Sequence, residues 1–369
     1  MTKNQTLLNL ALTLLPIIAS VVISSILILA VGSDPRGVFE KLWEGAFRNS
    51  NALAGVLNFW IPLTLASIGL VVTFRAGLWN IGVEGQMMMG AVFASWAART
   101  LVLPTPLLIP IEIAVAMLGG AAWGVLVGLL KTRLGVHEIF GGVALNAIAN
   151  VFTIYLISGP WQPPEGGSAQ ATPPFPDYTL LPELSGEFPV SLFALVLTVV
   201  AIGAIFLALR GTRWGLELKA TGKNPRSALL LGVPTERSAL SALIVCGALA
   251  GIAGAYRVLF TYDSLRPLAS GGIGFLALLV VLLVSMKTLL VPLVAFLVAA
   301  LFTGSTRLKV ALQLDQSLAD VLQGTVVLMV LLSNGLRERL ALRGRVGEGE
   351  PETEFKPIAP VTTEAPTYE

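Results

Sequence analysis

Cysteine and histidine are almost missing: the 369-residue chain has one of each, Cys246 and His137. A single cysteine excludes an internal disulfide, and a single histidine excludes a histidine-rich metal centre. His137 begins an apolar segment and is read as an interfacial residue. Charge is scarce too, since Asp, Glu, Lys and Arg make up 12% of the chain against about 25% in a typical soluble domain. The formal charge is +2, and the basic residues are scattered over many short loops, which leaves no footprint for nucleic acid. Also absent are HExxH, GxSxG and GxxxxGK[ST], so neither hydrolase machinery nor a phosphate-binding loop is present. If ATP drives this protein, another chain must bind it.

What fills the chain is hydrocarbon: 55% of residues are hydrophobic and the mean hydropathy is +0.80. The apolar residues form solid blocks of roughly 20, long enough to cross about 30 Å of lipid, whereas a barrel would show short alternating segments. The expected fold is an all-α polytopic membrane protein with about ten transmembrane helices. The candidate spans are 7–31, 53–74, 78–98, 105–130, 138–158, 189–209, 238–258, 270–286, 288–305 and 318–335. The first is too long for a signal-peptide core and is read as a retained span.

A cytoplasmic N-terminus puts Arg75, Lys131, Arg133, Arg210, Arg213, Lys219, Lys223, Arg226 and Arg237 inside, with Arg337, Arg339, Arg343 and Arg345 after the last span. Arg36, Lys41, Arg48, Arg99, Arg266, Arg307 and Lys309 fall outside. An even span count returns both termini to the cytoplasm. The Pro-rich loop 159–188 has no Lys or Arg and is expected to cap the outer mouth as irregular chain. The membrane domain then covers 1–336, and the acidic Pro- and Thr-rich tail 337–369 reads as disordered.

Three stretches break the apolar pattern. "RAGLWNIGVEGQMMMG", Arg75 to Gly90, holds Asn80, Glu84, Gln86 and the glycines Gly77, Gly82, Gly85 and Gly90. Glycines there permit a helix break, and a carboxylate at bilayer depth turns toward a bundle interior or an aqueous path. A hydrogen-bonded knot between helices is the competing reading for the same residues. Asn146 and Asn150 in "GGVALNAIANVF" share a helix face and suit either solute hydrogen bonding or helix association. The third stretch is the loop 210–237. Asn224 before Pro225 is a helix start, "RSALLLG" runs about two turns, and Gly232 with Pro234 stops it. Its exposed apolar residues fit a docking element for a cytosolic partner, or an interfacial helix on lipid headgroups.

With these residues in view, the chain resembles a permease subunit of ATP-binding-cassette importers. The resemblance is to the branch with simple-sugar, branched-chain amino-acid and nucleoside permeases, and is strongest to the nucleoside permeases. "GLWNIGVEGQ" looks like that branch's signature, and "KATGKNPRSALLLGVPTERSALSALIVCGALAGIAGA" looks like its coupling loop and following span. Such permeases have discontinuous helices and work by alternating access. The resemblance implies a second permease subunit, two cytosolic ATP-binding subunits, an external solute-binding protein and a place in a bacterial-type inner membrane. It implies no cofactor and no metal in this chain, ATP being used by the partners. Gly222, Asn224, Pro225, Ala228 and Gly232 carry over as coupling positions. Trp79, Asn80, Glu84, Gln86, Asn146, Asn150 and Phe275 are the pathway candidates, with Trp79 and Asn80 favoured to face it and Glu84 ranked as scaffold before ligand. One departure is Leu276, where related nucleoside permeases usually carry Asp. The competing classes are an ion-coupled secondary transporter, using Glu84 or Glu112, and an intramembrane enzyme.

Overall fold

A computed structural model describes residues 22–30, 34–163, 170–284 and 286–312, with isolated positions elsewhere. The expected span 318–335, the tail 337–369 and most of the span 7–31 lie outside the described residues. Every regular element longer than an isolated bridge is helical among the described residues. They are α1 (Val22–Ala30), α2 (Pro35–Phe47), α3 (Ser50–Arg75), α4 (Val83–Thr100), α5 (Thr105–Leu134), α6 (Glu138–Ser158), α7 (Leu192–Gly211), α8 (Arg213–Lys223), α9 (Pro225–Leu230), α10 (Thr235–Tyr256), α11 (Ile273–Leu283) and α12 (Val291–Leu312).

Six helical stretches are long and apolar enough to cross a membrane among the described residues: Ser50–Arg75, Thr105–Leu134, Glu138–Ser158, Leu192–Gly211, Thr235–Thr261 and Thr288–Ser305. Two expected spans take another form. The span placed at 78–98 begins its helix only at Val83, after an irregular stretch. The one placed at 270–286 contains the 11-residue α11, about 16 Å of helix, roughly half of what a bilayer core requires. Glycines and polar residues at both places break the helix, and only the apolar block beside the second keeps a strongly hydrophobic character.

α3 is the buried axis. From Phe59 to Phe74 every residue is buried, as expected of a helix that is apolar all round. Asn49 caps its start by accepting from the Ala52 N–H at 2.8 Å. Several buried hydroxyls return to the preceding turn of their own helices, as in Ser67 to the Leu63 carbonyl and Ser95 to the Ala91 carbonyl, both 2.7 Å.

Around this axis α5 and α10 run antiparallel, and α4 packs against both. Their crossing is built from glycine: a Cβ on Gly120 would overlap the Gly247 carbonyl oxygen, and one on Gly251 would overlap that of Ala116. Lipid supplies no hydrophobic drive for helices to associate, so close backbone approach and dispersion must hold them together. A side chain larger than hydrogen forces the helices apart at these points.

The bundle has two ends. At one lie Arg75, Lys131, Arg133 and the short helices α8 and α9, with Gly77 against Gly222. At the other, the described residues of the Pro-rich loop are irregular apart from one short 3-10 turn, Asp177–Thr179, and an isolated bridge between Ser185 and Phe188. The loop is stitched down by Asn58 Nδ2 donating to the Pro189 carbonyl (2.9 Å) and Thr105 Oγ1 donating to that of Tyr178 (3.0 Å).

Gly120→Leu is expected to remove the folded, monodisperse peak in detergent gel filtration, since overpacking at a backbone contact costs at least about 1–3 kcal/mol. Gly203→Leu on α7 meets open space within 4 Å and is expected to leave the peak unchanged.

Candidate functional site

The first break follows α3. Gly77 takes a left-handed φ of 75°, which lets the chain leave the helix, and residues 76–82 then run irregularly into α4. The new helix starts inside the bundle, beside Asn146, eight residues or about 12 Å along α6. Asn146 holds the break from both sides: its Oδ1 accepts the Gly85 N–H at 2.8 Å, and its Nδ2 donates to the Ile81 carbonyl at 2.9 Å.

Asn80, expected to face a pathway, is 0% exposed and turned inward. Its Nδ2 donates to Gln86 Oε1 at 3.0 Å and to Cys246 Sγ at 3.2 Å, while Gln86 Nε2 donates back at 3.4 Å. Paired amides leave few unsatisfied polar atoms, so the two polar residues bury each other. Trp79 is 45% exposed and meets Phe74 edge-on at 5.1 Å. Its backbone N–H donates to Glu138 Oε1 at 3.4 Å, and Glu138 is paired with Lys131 at 2.5 Å.

The second break precedes α11. After Tyr256 the chain widens into a π turn, Arg257–Thr261, and then runs without regular structure to Gly272. Asp263 and Leu268 (both φ 52°), Gly271 (64°) and Gly272 (74°) all have left-handed φ, the conformation that shapes this segment. Its lower end meets Glu84. The buried carboxylate accepts from Ser270 Oγ at 2.5 Å and the Gly272 N–H at 2.9 Å through Oε1, and from the Gly274 N–H at 2.7 Å through Oε2. A helix start leaves N–H groups without partners and carries positive dipole, so an anion from another helix satisfies both needs. Gly274 must be glycine, because its Cβ would stand 2.5 Å from that carboxylate and 2.9 Å from the Glu84 backbone.

On the far side of the same turn stands Arg257, also buried. Its Nε donates to the Ala269 carbonyl at 3.3 Å, its Nη2 bonds the Tyr262 hydroxyl, and its guanidinium lies 4.5 Å from the centre of the Tyr262 ring. A buried anion and a buried cation thus bracket residues 269–272, each hydrogen-bonded to this segment, which limits their desolvation cost. Asn150 adds a contact from α6, its Oδ1 accepting the Leu268 N–H at 3.3 Å. Phe275, in the first turn of α11, is 47% exposed.

The structure therefore gathers Glu84, Asn146, Asn150 and Phe275 around the two helix starts, with Asn80 and Gln86 buried behind them and Trp79 nearer the basic end. Ser270, Gly274 and Arg257 belong to the same constellation and were absent from the sequence-derived candidates. Arg257 had a signal, a cation in the otherwise apolar run "GIAGAYRVLF". Glu112, within the α5 span, is fully buried, and neither oxygen has a hydrogen-bond partner among the described residues. No cluster of three or more potential metal ligands occurs among the described residues.

At the basic end α9 forms as its residues dictate. Asn224 accepts the Ser227 N–H at 3.1 Å, Pro225 takes the first helical position, and Gly232 reverses the chain at φ 81°. Only Ala228 is buried, while Leu229, Leu230 and Leu231 are 62%, 88% and 83% exposed. Gly222 lets α8 rest on the end of α3, since a Cβ there would overlap the Arg75 carbonyl oxygen.

Glu84→Gln is expected to lower the unfolding temperature of purified protein, because the new amide N–H₂ opposes the Gly274 N–H and one unsatisfied donor costs about 1–3 kcal/mol. Glu112→Met, which replaces an unpartnered buried carboxyl by an apolar group of similar reach, is expected to raise it.

Known proteins place this arrangement in context. The family model for the branched-chain amino acid transport system / permease component matches residues 52–331. A glucose ABC transporter permease protein of Haloferax volcanii is 28% identical over 328 residues, covering 86% of each chain. A guanosine ABC transporter permease protein of Bacillus subtilis is 28% identical over 337 residues, 89% of this chain and 95% of its own. A nucleoside ABC transporter permease protein of Lactococcus lactis is 28% identical over 308 residues, 79% and 83% of the two chains. The chain belongs to the family of branched-chain amino acid transport system permease components and is an ABC transporter permease.

Proposed function

We propose that this permease carries a nucleoside or a related small polar solute inward, by alternating access driven by ATP hydrolysis on separate partner chains. The observation that carries the reading is α9. Its three exposed leucines stand on a capped helix at the basic end, where water would leave that apolar surface without a partner. A groove on a cytosolic ATP-binding subunit gives it one. Motion of that subunit would reach the first break directly, because α8 and α9 adjoin and Gly222 rests against Arg75 and Gly77. ATP binding does work here only if it favours one arrangement of this contact over the other.

In this reading the basic end faces the cytoplasm, as the positive-inside rule directs, and the Pro-rich loop meets an external solute-binding protein. A second permease chain completes the pathway, with Trp79, Asn150 and Phe275 the exposed or part-exposed candidates to line it. Glu84 acts as scaffold, since its carboxylate already holds three donors. Related proteins named for guanosine and nucleosides support the purine or pyrimidine nucleoside class, and the glucose-named relatives support a sugar as the second reading.

Replacing Asn224–Gly232 with a Gly/Ser linker is expected to abolish copurification of the ATP-binding subunits while membrane insertion persists; retained copurification would contradict docking by α9. In proteoliposomes, nucleoside uptake is expected to require those subunits and ATP. Uptake driven by an ion gradient alone would point instead to a secondary transporter. Binding of labelled guanosine and glucose to the cognate external protein separates the two solute classes.

A further inference from the structure

The segment between α10 and α11 is tied at three levels. At the top it pairs with the Pro-rich loop: the Thr172 N–H donates to the Leu265 carbonyl (2.9 Å), the Phe175 N–H to that of Asp263 (2.8 Å) and the Leu181 N–H to that of Leu259 (3.1 Å). A side chain closes the pairing, because Thr172 Oγ1 accepts the buried Leu265 N–H at 3.1 Å. In the middle Arg257 holds Ala269 and Tyr262, and Asn150 of α6 accepts the Leu268 N–H. At the bottom Glu84 holds Ser270, Gly272 and Gly274.

We infer that residues 263–274 are a strap through which the Pro-rich loop sets the position of the α11 start, with Thr172 and Arg257 as its positioning residues. An irregular strand has no internal ladder to keep its shape, so its ends are placed by what they are bonded to. Here the upper end belongs to the loop and the lower end to the break. A shift of the loop must therefore either stretch the strap or move the start of α11 relative to Glu84. The left-handed residues Asp263, Leu268, Gly271 and Gly272 are the positions where such a segment can flex or straighten. Packed contact alone does not establish coupling, so the test reads coupling itself.

The inference rests on the transport reading above. The assembled complex, with its ATP-binding subunits and external solute-binding protein, is placed in proteoliposomes, and basal ATPase, partner-stimulated ATPase and uptake are measured together. Thr172→Val keeps the side-chain shape and removes the acceptor for the Leu265 N–H. It is expected to lower partner-stimulated ATPase and uptake about tenfold, the factor that corresponds to about 1.4 kcal/mol, with basal ATPase unchanged. Thr172→Ser is expected to restore both. As a second measurement, Pro174→Cys and Asp263→Cys, bridged by a short thiol crosslinker, fix the loop to the strap and are expected to leave stimulation within twofold. Stimulation unaffected by Thr172→Val, loss of basal ATPase in parallel, or abolition of stimulation by the bridge would each overturn the strap. Absence of any ATP-driven uptake in the unsubstituted complex would overturn the transport reading, and the strap with it.

Discussion

Glu84 and the Ser270–Gly274 turn lie 186 to 190 positions apart in the chain, yet one carboxylate satisfies three donors there. Two helices that stop short of crossing the bundle each leave an open end at depth, and open ends are intolerable in an apolar medium unless every N–H is met. α4 carries the anion in its first turn, and α11 presents the donors. Their starts are consequently held together, and everything else that touches either break is arranged about that joint. Asn146 clamps the α4 side, Asn150 and Arg257 hold the approach to α11, and glycines at 85, 90, 251 and 274 admit the close packing that the joint demands.

In the proposed reading, this arrangement lets the permease respond to events at both faces. At the basic end, α8, with α9 packed against it, bears on the last residues of α3, from which the chain passes straight into the first break. At the other end, the Pro-rich loop is bonded to the chain that runs into the second. The two breaks meet at Glu84. In that reading a displacement at either face arrives at the same pair of helix starts, where a small shift would change which donors the carboxylate can reach. Discrete rearrangements of packed elements, rather than smooth bending, are the usual form of such transitions.

Local chemistry was legible in the sequence to the extent that it was local. Asn224, Pro225 and Gly232 carry their capping and stop signals within nine residues, and α9 forms on them. The cluster of Asn80, Glu84, Gln86 and four glycines marked the first break for the same reason. The second break was hidden because "ASGGIGFLALLVVLLV" keeps the hydropathy of a span while its first four residues serve as a turn. The roles of the amides were hidden as well. Whether Asn80 faces a pathway or pairs with Gln86 depends on Cys246, 166 positions away, and no periodicity in the sequence reports such a neighbour. Arg257 was visible as an intramembrane cation, but its partners Ala269 and Tyr262 became evident only once the chain after α10 was seen to fold back.

A scaffold role for Glu84 makes a definite claim about the loaded transporter. The direct measurement is a structure of the full assembly, permease pair, ATP-binding subunits and external protein, with solute trapped between the permease chains. The account predicts that the Glu84 carboxylate lies within hydrogen-bond distance of the Gly274 N–H and at no point contacts the solute. A solute hydroxyl or ring nitrogen bonded to Glu84, with the α11 start released from it, would contradict the account.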